Sequence, residues 1–92
     1  MIRQSVRVVN STGLHARPAA SLAKLVKQYS SSLTLVNNGK EIHIKGMMSI
    51  LGAGVKGNTM IDLICNGDDE YELMKALKTA FADGFGEKES HD

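Results

Sequence analysis

Residues 33–44 read LTLVNNGKEIHI, the clearest strand-and-turn pattern in the chain. Leucines on one side and isoleucines on the other recur at every second position, a period that is typical of strands with one buried face. Between them, Asn38 and Gly39 tolerate the positive φ angles of a tight hairpin turn. The stretch therefore predicts a β-hairpin with strands over residues 33–36 and 41–44. The side chains expected to face the core are Leu33, Leu35, Ile42 and Ile44.

Two more strands are predicted, one before and one after the hairpin. In residues 2–9 valine alternates with serine and arginine, and in residues 59–66 Ile61, Leu63 and Cys65 alternate with side chains that would face outward. Both patterns have the period of two that a half-buried strand requires. Four strands with one apolar face each predict a sheet that is covered on that face.

Three helical segments complete the order β-α-β-β-α-β-α. Residues 16–28 have apolar side chains at helical spacing, and residues 47–51 form a short apolar run between glycines, which predicts one or two turns. A last helix begins after Gly67 and is expected to end at Gly84 as its C-terminal cap. Its acidic start, residues 68–70, fits helix capping and the helix dipole better than catalysis. Together the elements predict a two-layer α+β sandwich with the helices on one side of the sheet.

Length, charge and cysteine content narrow the functional classes. The chain has 92 residues, which predicts a single domain over 1–92, with a core over about 2–85 and a polar tail at 87–92. Its 11 basic and 10 acidic residues give a net charge of +1, which argues against a protein that binds nucleic acid through phosphate contacts. Cys65 has no second cysteine to pair with, which fits a reducing compartment. Because no segment resembles a signal peptide or a membrane span, we expect a cytoplasmic protein without membrane insertion.

No metal site is expected. The histidines at positions 43 and 91, together with Cys65, show none of the spacings that metal sites require.

Residues 13–19, GLHARPA, have the clearest chemistry. Pro18 is tolerated in the first turn of a helix, where the N–H groups have no carbonyl partner, so we expect His15 at or next to the N-cap. A helix N-terminus stabilises anions, and Arg17 adds a guanidinium whose fork matches phosphoryl oxygens. Gly13 lets the loop approach closely without side-chain bulk. These residue types favour a phosphoryl acceptor at His15 and leave open an ordinary exposed or capping histidine.

The segment GLHARPA resembles the active-site signature of the HPr family, the histidine-containing phosphocarriers of the bacterial phosphoenolpyruvate-dependent sugar phosphotransferase system. The likeness extends over about residues 2–85, in the family's order and spacing. It includes the turn at 38–40, the segment 45–51, Lys56 with Gly57, and the turn at 67–70.

The resemblance implies an open-faced β-sandwich, in which four antiparallel strands in the order 1-4-2-3 are covered on one face by three helices. It also implies a phosphocarrier that needs no cofactor. Enzyme I, charged by phosphoenolpyruvate, would give a phosphoryl group to Nδ1 of His15, and the carrier would pass it to a histidine on a IIA component of the phosphotransferase system. Arg17 would shield the phosphoryl charge. The residues implied around the phosphoryl oxygens are Thr12, Gly13, Ala16 and Arg17.

A carrier that binds several partners briefly is expected to have an exposed apolar patch with charge around it. Methionines are adaptable enough to serve different partners, and two lysines of the first helix would add a positive rim. The residues expected to contact partners are Ala20, Lys24, Lys27, Met47, Met48 and Leu51. Two alternatives stay open: ordinary core side chains under a loop, and a solvated helix face. We expect a monomer.

Gly46 departs from the family's pattern. In many Gram-positive relatives a serine stands at this position and is phosphorylated by a dedicated kinase, whereas glycine has no hydroxyl group. Ser49 lies most of a helical turn away and is a weak substitute, so we expect serine regulation to be absent. Two alternative functions remain. The first is a nitrogen-branch carrier, because residues 81–86 resemble the end of such a carrier. The second is a regulatory module that docks on a transcription factor or an enzyme.

Overall fold

The secondary structure follows the predicted order. The computed structural model describes residues 1–86, so the polar tail predicted at 87–92, with His91, lies outside the described residues. A short 3-10 turn, Gly84–Gly86, follows the last helix. The strands and helices are β1 (Ile2–Arg7), α1 (Ala16–Val26), β2 (Ser32–Asn37), β3 (Lys40–His43), α2 (Met47–Gly52), β4 (Met60–Asn66) and α3 (Glu70–Ala82).

The four strands form one antiparallel sheet in the order β1-β4-β2-β3, which confirms the fold class. The central strand β4 shows the predicted alternation, because Ile61, Leu63 and Cys65 are buried while their neighbours are not. These side chains join buried residues of all three helices in one apolar core. Burial raises the pKa of the Cys65 thiol to about 11, so the cysteine is a core residue and a poor nucleophile.

The hairpin at β2 and β3 forms as the sequence predicts. Asn37 pairs with Lys40, which leaves a two-residue loop in which Asn38 has a φ of 55° and Gly39 a φ of 79°. Two positive φ angles in succession are the mark of the turn that matches the twist of neighbouring strands. Three of the four side chains predicted to face inward are buried and Ile42 is half-buried.

The ends of two elements differ from the prediction by two residues. Strand β1 stops at Arg7 because Val8 leaves the ladder and instead exchanges backbone hydrogen bonds of 2.8 Å with Thr59 and Asn58, ahead of β4. Helix α1 stops at Val26 rather than at residue 28 because the amides of Gln28 and Tyr29 bond three residues back instead of four, which tightens the chain after the helix.

The acidic start of α3 differs from the prediction in one respect. Asp69 occupies the N-cap position, but its carboxylate does not cap the helix. It accepts hydrogen bonds from the backbone amides of Ser30 and Ser31, both at 2.9 Å, and from the hydroxyl of Ser31. Because the donors of the α1–β2 loop lie beside it, Asp69 fastens that loop to α3. The expected capping role is therefore wrong for the Asp69 side chain, while Glu70 and Glu72 do lie in the first turn.

Asp69→Asn is expected to destabilise the fold near neutral pH and to flatten its acid sensitivity. The bonds from Ser31 and Ser30 lower the pKa of Asp69 from 3.8 to about 2. A carboxylate with a lowered pKa in the folded state adds stability above its ordinary pKa, and this stability is lost as the pH falls from about 4 to about 2. Urea denaturation across this pH range measures the effect, with the exposed neighbour in Asp68→Asn as the control. Equal stability and equal acid sensitivity of the two variants would contradict this role.

Candidate active site

His15 lies at the junction between the loop after β1 and helix α1. It is the N-cap residue, in an extended conformation with φ −80° and ψ −168°, and its carbonyl accepts the first helical hydrogen bond from the Ala19 amide at 2.9 Å. The half-buried imidazole makes no capping bond to its own helix. The predicted N-cap position is confirmed, and the structure does not support the alternative that the ring serves as an ordinary cap.

Two backbone donors of the first turn stand beside His15. Helical bonding begins at the Ala19 amide, so the N–H groups of Ala16 and Arg17 have no carbonyl partner within the helix. Pro18 comes next and has no N–H to offer. Ala16 and Arg17 are both exposed, which leaves the first turn of α1 open to an anion.

The loop that carries His15 is pressed onto the loop before β4. The Leu14 amide donates to the Val55 carbonyl at 3.1 Å, and the contact is so close that a Cβ on Gly13 would overlap that same oxygen. A Cβ on Gly57 would likewise overlap the Ser11 carbonyl. Two segments about forty residues apart in sequence thus fix the backbone just before His15.

A depression of about 550 Å³ lies between these loops and is lined in part by His15. Thr12 and Leu51, both predicted site residues, line it as well, whereas Gly13 is buried beneath and Arg17 lies outside the lining. Lys56 lines the same depression, although no local sequence pattern assigns it to the site.

The predicted partner residues fall into two neighbouring places. A shallow groove of about 260 Å³ between α1 and α2 is lined by Ala20, Lys24, Lys27, Met47 and two small residues. Leu51 instead faces the depression at His15. Both Met47 and Leu51 also pack partly against the core. Met48 has 78% of its surface exposed, so it is the methionine most open to a partner.

Among the residues that line the depression at His15 and the groove between α1 and α2, the charged side chains are all positive. Residues 1–40 contain no Asp or Glu, and neither lining includes a carboxylate. The acidic start of α3 lies at the other end of the sheet, because β4 runs from its pairing with Arg7 to its pairing with Ile2. The linings of the depression and of the groove therefore suit an anionic group and acidic partners.

Gly46 begins α2 with an extended backbone, φ 178°, and open space where a side chain would be. The nearby Ser49 hydroxyl is already used by the same turn. It donates to the Gly46 carbonyl at 2.7 Å and accepts from the amides of Lys45 and Gly46 at 3.0 and 3.2 Å. Ser49 thus serves to cap the helix, which agrees with its being a weak substitute for a serine at position 46.

Within residues 1–86 no three His, Cys, Asp or Glu side chains are grouped so that they could hold a metal ion. In the same part of the chain, every helix is too short or too polar to cross a membrane.

Comparisons with known proteins point to one family. A family model described as the PTS HPr component phosphorylation site matches residues 2–83. The phosphocarrier protein HPr of Mycoplasma capricolum is 32% identical over 83 residues, which cover 90% of this chain and 93% of the relative. The crystal structure of HPr-C-His from Thermoanaerobacter tengcongensis superposes with a TM-score of 0.89 at 35% identity, over 96% of this chain and 99% of the other. An HPr dimer from the same organism gives a TM-score of 0.69 at 38% identity, over 95% and 100%.

Proposed function

The chain belongs to the HPr family of phosphocarriers of the phosphotransferase system, and we propose that it takes a phosphoryl group from enzyme I onto Nδ1 of His15 and passes it to a histidine of a IIA component. The observation that carries this proposal is the position of His15. Its ring stands at the N-cap without capping the helix, next to two amides that have no helical partner.

The transfer needs an acceptor nitrogen and an environment that tolerates the incoming charge. The Nδ1 lone pair of His15 attacks the phosphorus atom, the N–P bond of the donor histidine breaks, and its electron pair returns to the donor nitrogen. The amides of Ala16 and Arg17 and the Arg17 guanidinium then hold the phosphoryl oxygens, with Thr12 at the rim. Gly13 supports the site from below by letting the loop sit against Val55.

The partner surface in this proposal consists of the groove between α1 and α2, together with Met48 and Leu51. Its apolar part is small, which suits brief contacts, and Lys24 and Lys27 would speed the encounter with acidic partners. We expect the chain to act in the cytoplasm as a monomer with a single domain. Because a related structure from Thermoanaerobacter tengcongensis is described as a dimer, light scattering of the purified protein is the direct check on the oligomeric state.

A transfer assay tests the proposal. Incubation with enzyme I and phosphoenolpyruvate should add one acid-labile phosphoryl group, and subsequent addition of IIA components should remove it. The set of IIA components that accept the group separates a sugar carrier from a nitrogen-branch carrier. If no group is added while a known HPr is charged in parallel, the proposal fails.

Gly46→Ser is expected to introduce the regulatory serine that this chain lacks. The site has room for the side chain and an ordinary backbone, and serine in place of glycine at an N-cap should alter the free energy of unfolding by only about 0.3 kcal/mol. Incubation with an HPr kinase and ATP should give an acid-stable phosphoserine in the variant and none in the wild type. Phosphorylation of the wild type at Ser49 would contradict the proposed absence of serine regulation.

A further inference from the structure

Lys56 is the lysine that lines the depression beside His15. Within residues 1–86 the other lining residues are hydroxyl-bearing, aliphatic or glycine, apart from His15 itself. The ion pairs in this part of the chain join Arg3 to Asp62 and the N-terminus to Glu70, so the Lys56 ammonium is not used in one. An exposed cation outside these ion pairs therefore faces the space next to the acceptor ring.

The backbone of Lys56 is held in place. A Cβ on Gly13 would come within 2.9 Å of the Lys56 Cα, which shows how closely the two loops approach. The Lys56 carbonyl accepts a hydrogen bond from the Thr59 hydroxyl at 2.7 Å, and the Asn58 amide donates to the Val8 carbonyl at 2.8 Å. The part of Lys56 that can move is therefore its flexible side chain, which starts from the lining of the depression that also includes His15.

The geometry points to Lys56 as a second phosphoryl-binding cation, which acts from the loop side while Arg17 acts from the helix side. This inference rests on the proposed acceptance of the phosphoryl group by His15. Transfer replaces a ring without negative charge by a ring that carries an anionic phosphoryl group, so a cation nearby favours the charged product. An exposed cation in the lining of the same depression is expected to shift the equilibrium about fivefold toward phosphorylated His15, and salt should weaken the effect.

A competition for phosphoryl groups measures this shift directly. Nitrogen-15-labelled wild-type protein, charged beforehand, is mixed with an equal amount of unlabelled variant and a trace of enzyme I, which equilibrates the group between them. Intact mass then reads the charged fraction of each species. The variants are Lys56→Gln, Lys56→Arg and, as a matched control, Lys75→Gln, which removes an exposed lysine in the middle of α3.

Because one equivalent of phosphoryl group is shared between equal amounts of the two proteins, a roughly fivefold equilibrium means that the wild type holds about twice as many groups as Lys56→Gln at low salt, and we expect this ratio to fall as salt is added. Lys56→Arg and Lys75→Gln should share the group almost equally with the wild type, a pattern that a purely structural role would not give. An equal share for Lys56→Gln would overturn the role of Lys56 and leave the proposed function standing. If the wild type cannot be charged at all, both fail.

Discussion

His15→Ala should accept no phosphoryl group from enzyme I while keeping its fold. In the proposed transfer the ring supplies the attacking nitrogen, and none of the neighbouring groups can replace it: the amides of Ala16 and Arg17 are donors only, and guanidinium and ammonium groups offer donors and no lone pair. The fold should survive because His15 is only half-buried and does not belong to the apolar core. We expect a change of about 1 kcal/mol or less in the free energy of unfolding. Intact mass after incubation with enzyme I and phosphoenolpyruvate, together with urea denaturation, measures both effects.

The matched control for this variant is His43→Ala. His43 is exposed at the end of β3, far in the fold from the loop that carries His15, so its removal should leave phosphoryl acceptance unchanged. If His15→Ala were charged as readily as the wild type, or if His43→Ala lost the group, the assignment of the acceptor would be wrong.

Gly13→Ala should lose both stability and acceptor activity. Gly13 has a φ of 72°, which costs an alanine about 1 kcal/mol. The new methyl group would also overlap the Val55 carbonyl and crowd Lys56, and backbone atoms have little freedom to move away. We expect a total loss of about 2–4 kcal/mol in the free energy of unfolding. Because the loop must shift to make room, His15 should also be displaced, with a loss of about tenfold or more in the rate of phosphoryl acceptance.

Gly39→Ala distinguishes the effect of backbone strain from the effect of the contact between Gly13 and the Val55 carbonyl. Gly39 has a similar φ of 79° in the hairpin turn, but no atoms lie within 4 Å of the position that a Cβ would take, so its replacement should cost only about 1 kcal/mol. It should leave phosphoryl acceptance intact. Equal losses for the two alanine variants would show that the contact between the loops does not matter.

The parts of the fold that depend on local pattern could be predicted from the sequence. Alternation in β2, β3 and β4 and the turn at Asn38 and Gly39 predicted the right strands, because side-chain period and turn chemistry are properties of neighbouring residues. The role of Asp69 could not be read in this way. Its carboxylate bonds to Ser30 and Ser31, which lie 39 and 38 residues away, and no sequence period reports such a contact.

In the candidate site, too, only the features that depend on local sequence could be predicted. The N-cap position of His15 follows from Pro18 and the residues around it, so local helix chemistry was enough to find it. The depression beside His15 is made by two loops that meet only in the folded chain. For that reason Lys56 could not be assigned to the site from the sequence, and Leu51 was assigned to the partner patch although it faces the depression.

The position of the phosphoryl group in the charged protein shows directly whether His15 is the acceptor. The chain is labelled with nitrogen-15 at histidine, charged by enzyme I and phosphoenolpyruvate, and studied by phosphorus and nitrogen NMR. We expect a single phosphoryl group coupled to Nδ1 of His15, with the ring nitrogens of the other histidines unchanged. A group on another histidine or on a serine, or coupling to Nε2 of His15, would contradict the assignment of Nδ1 of His15 as the acceptor.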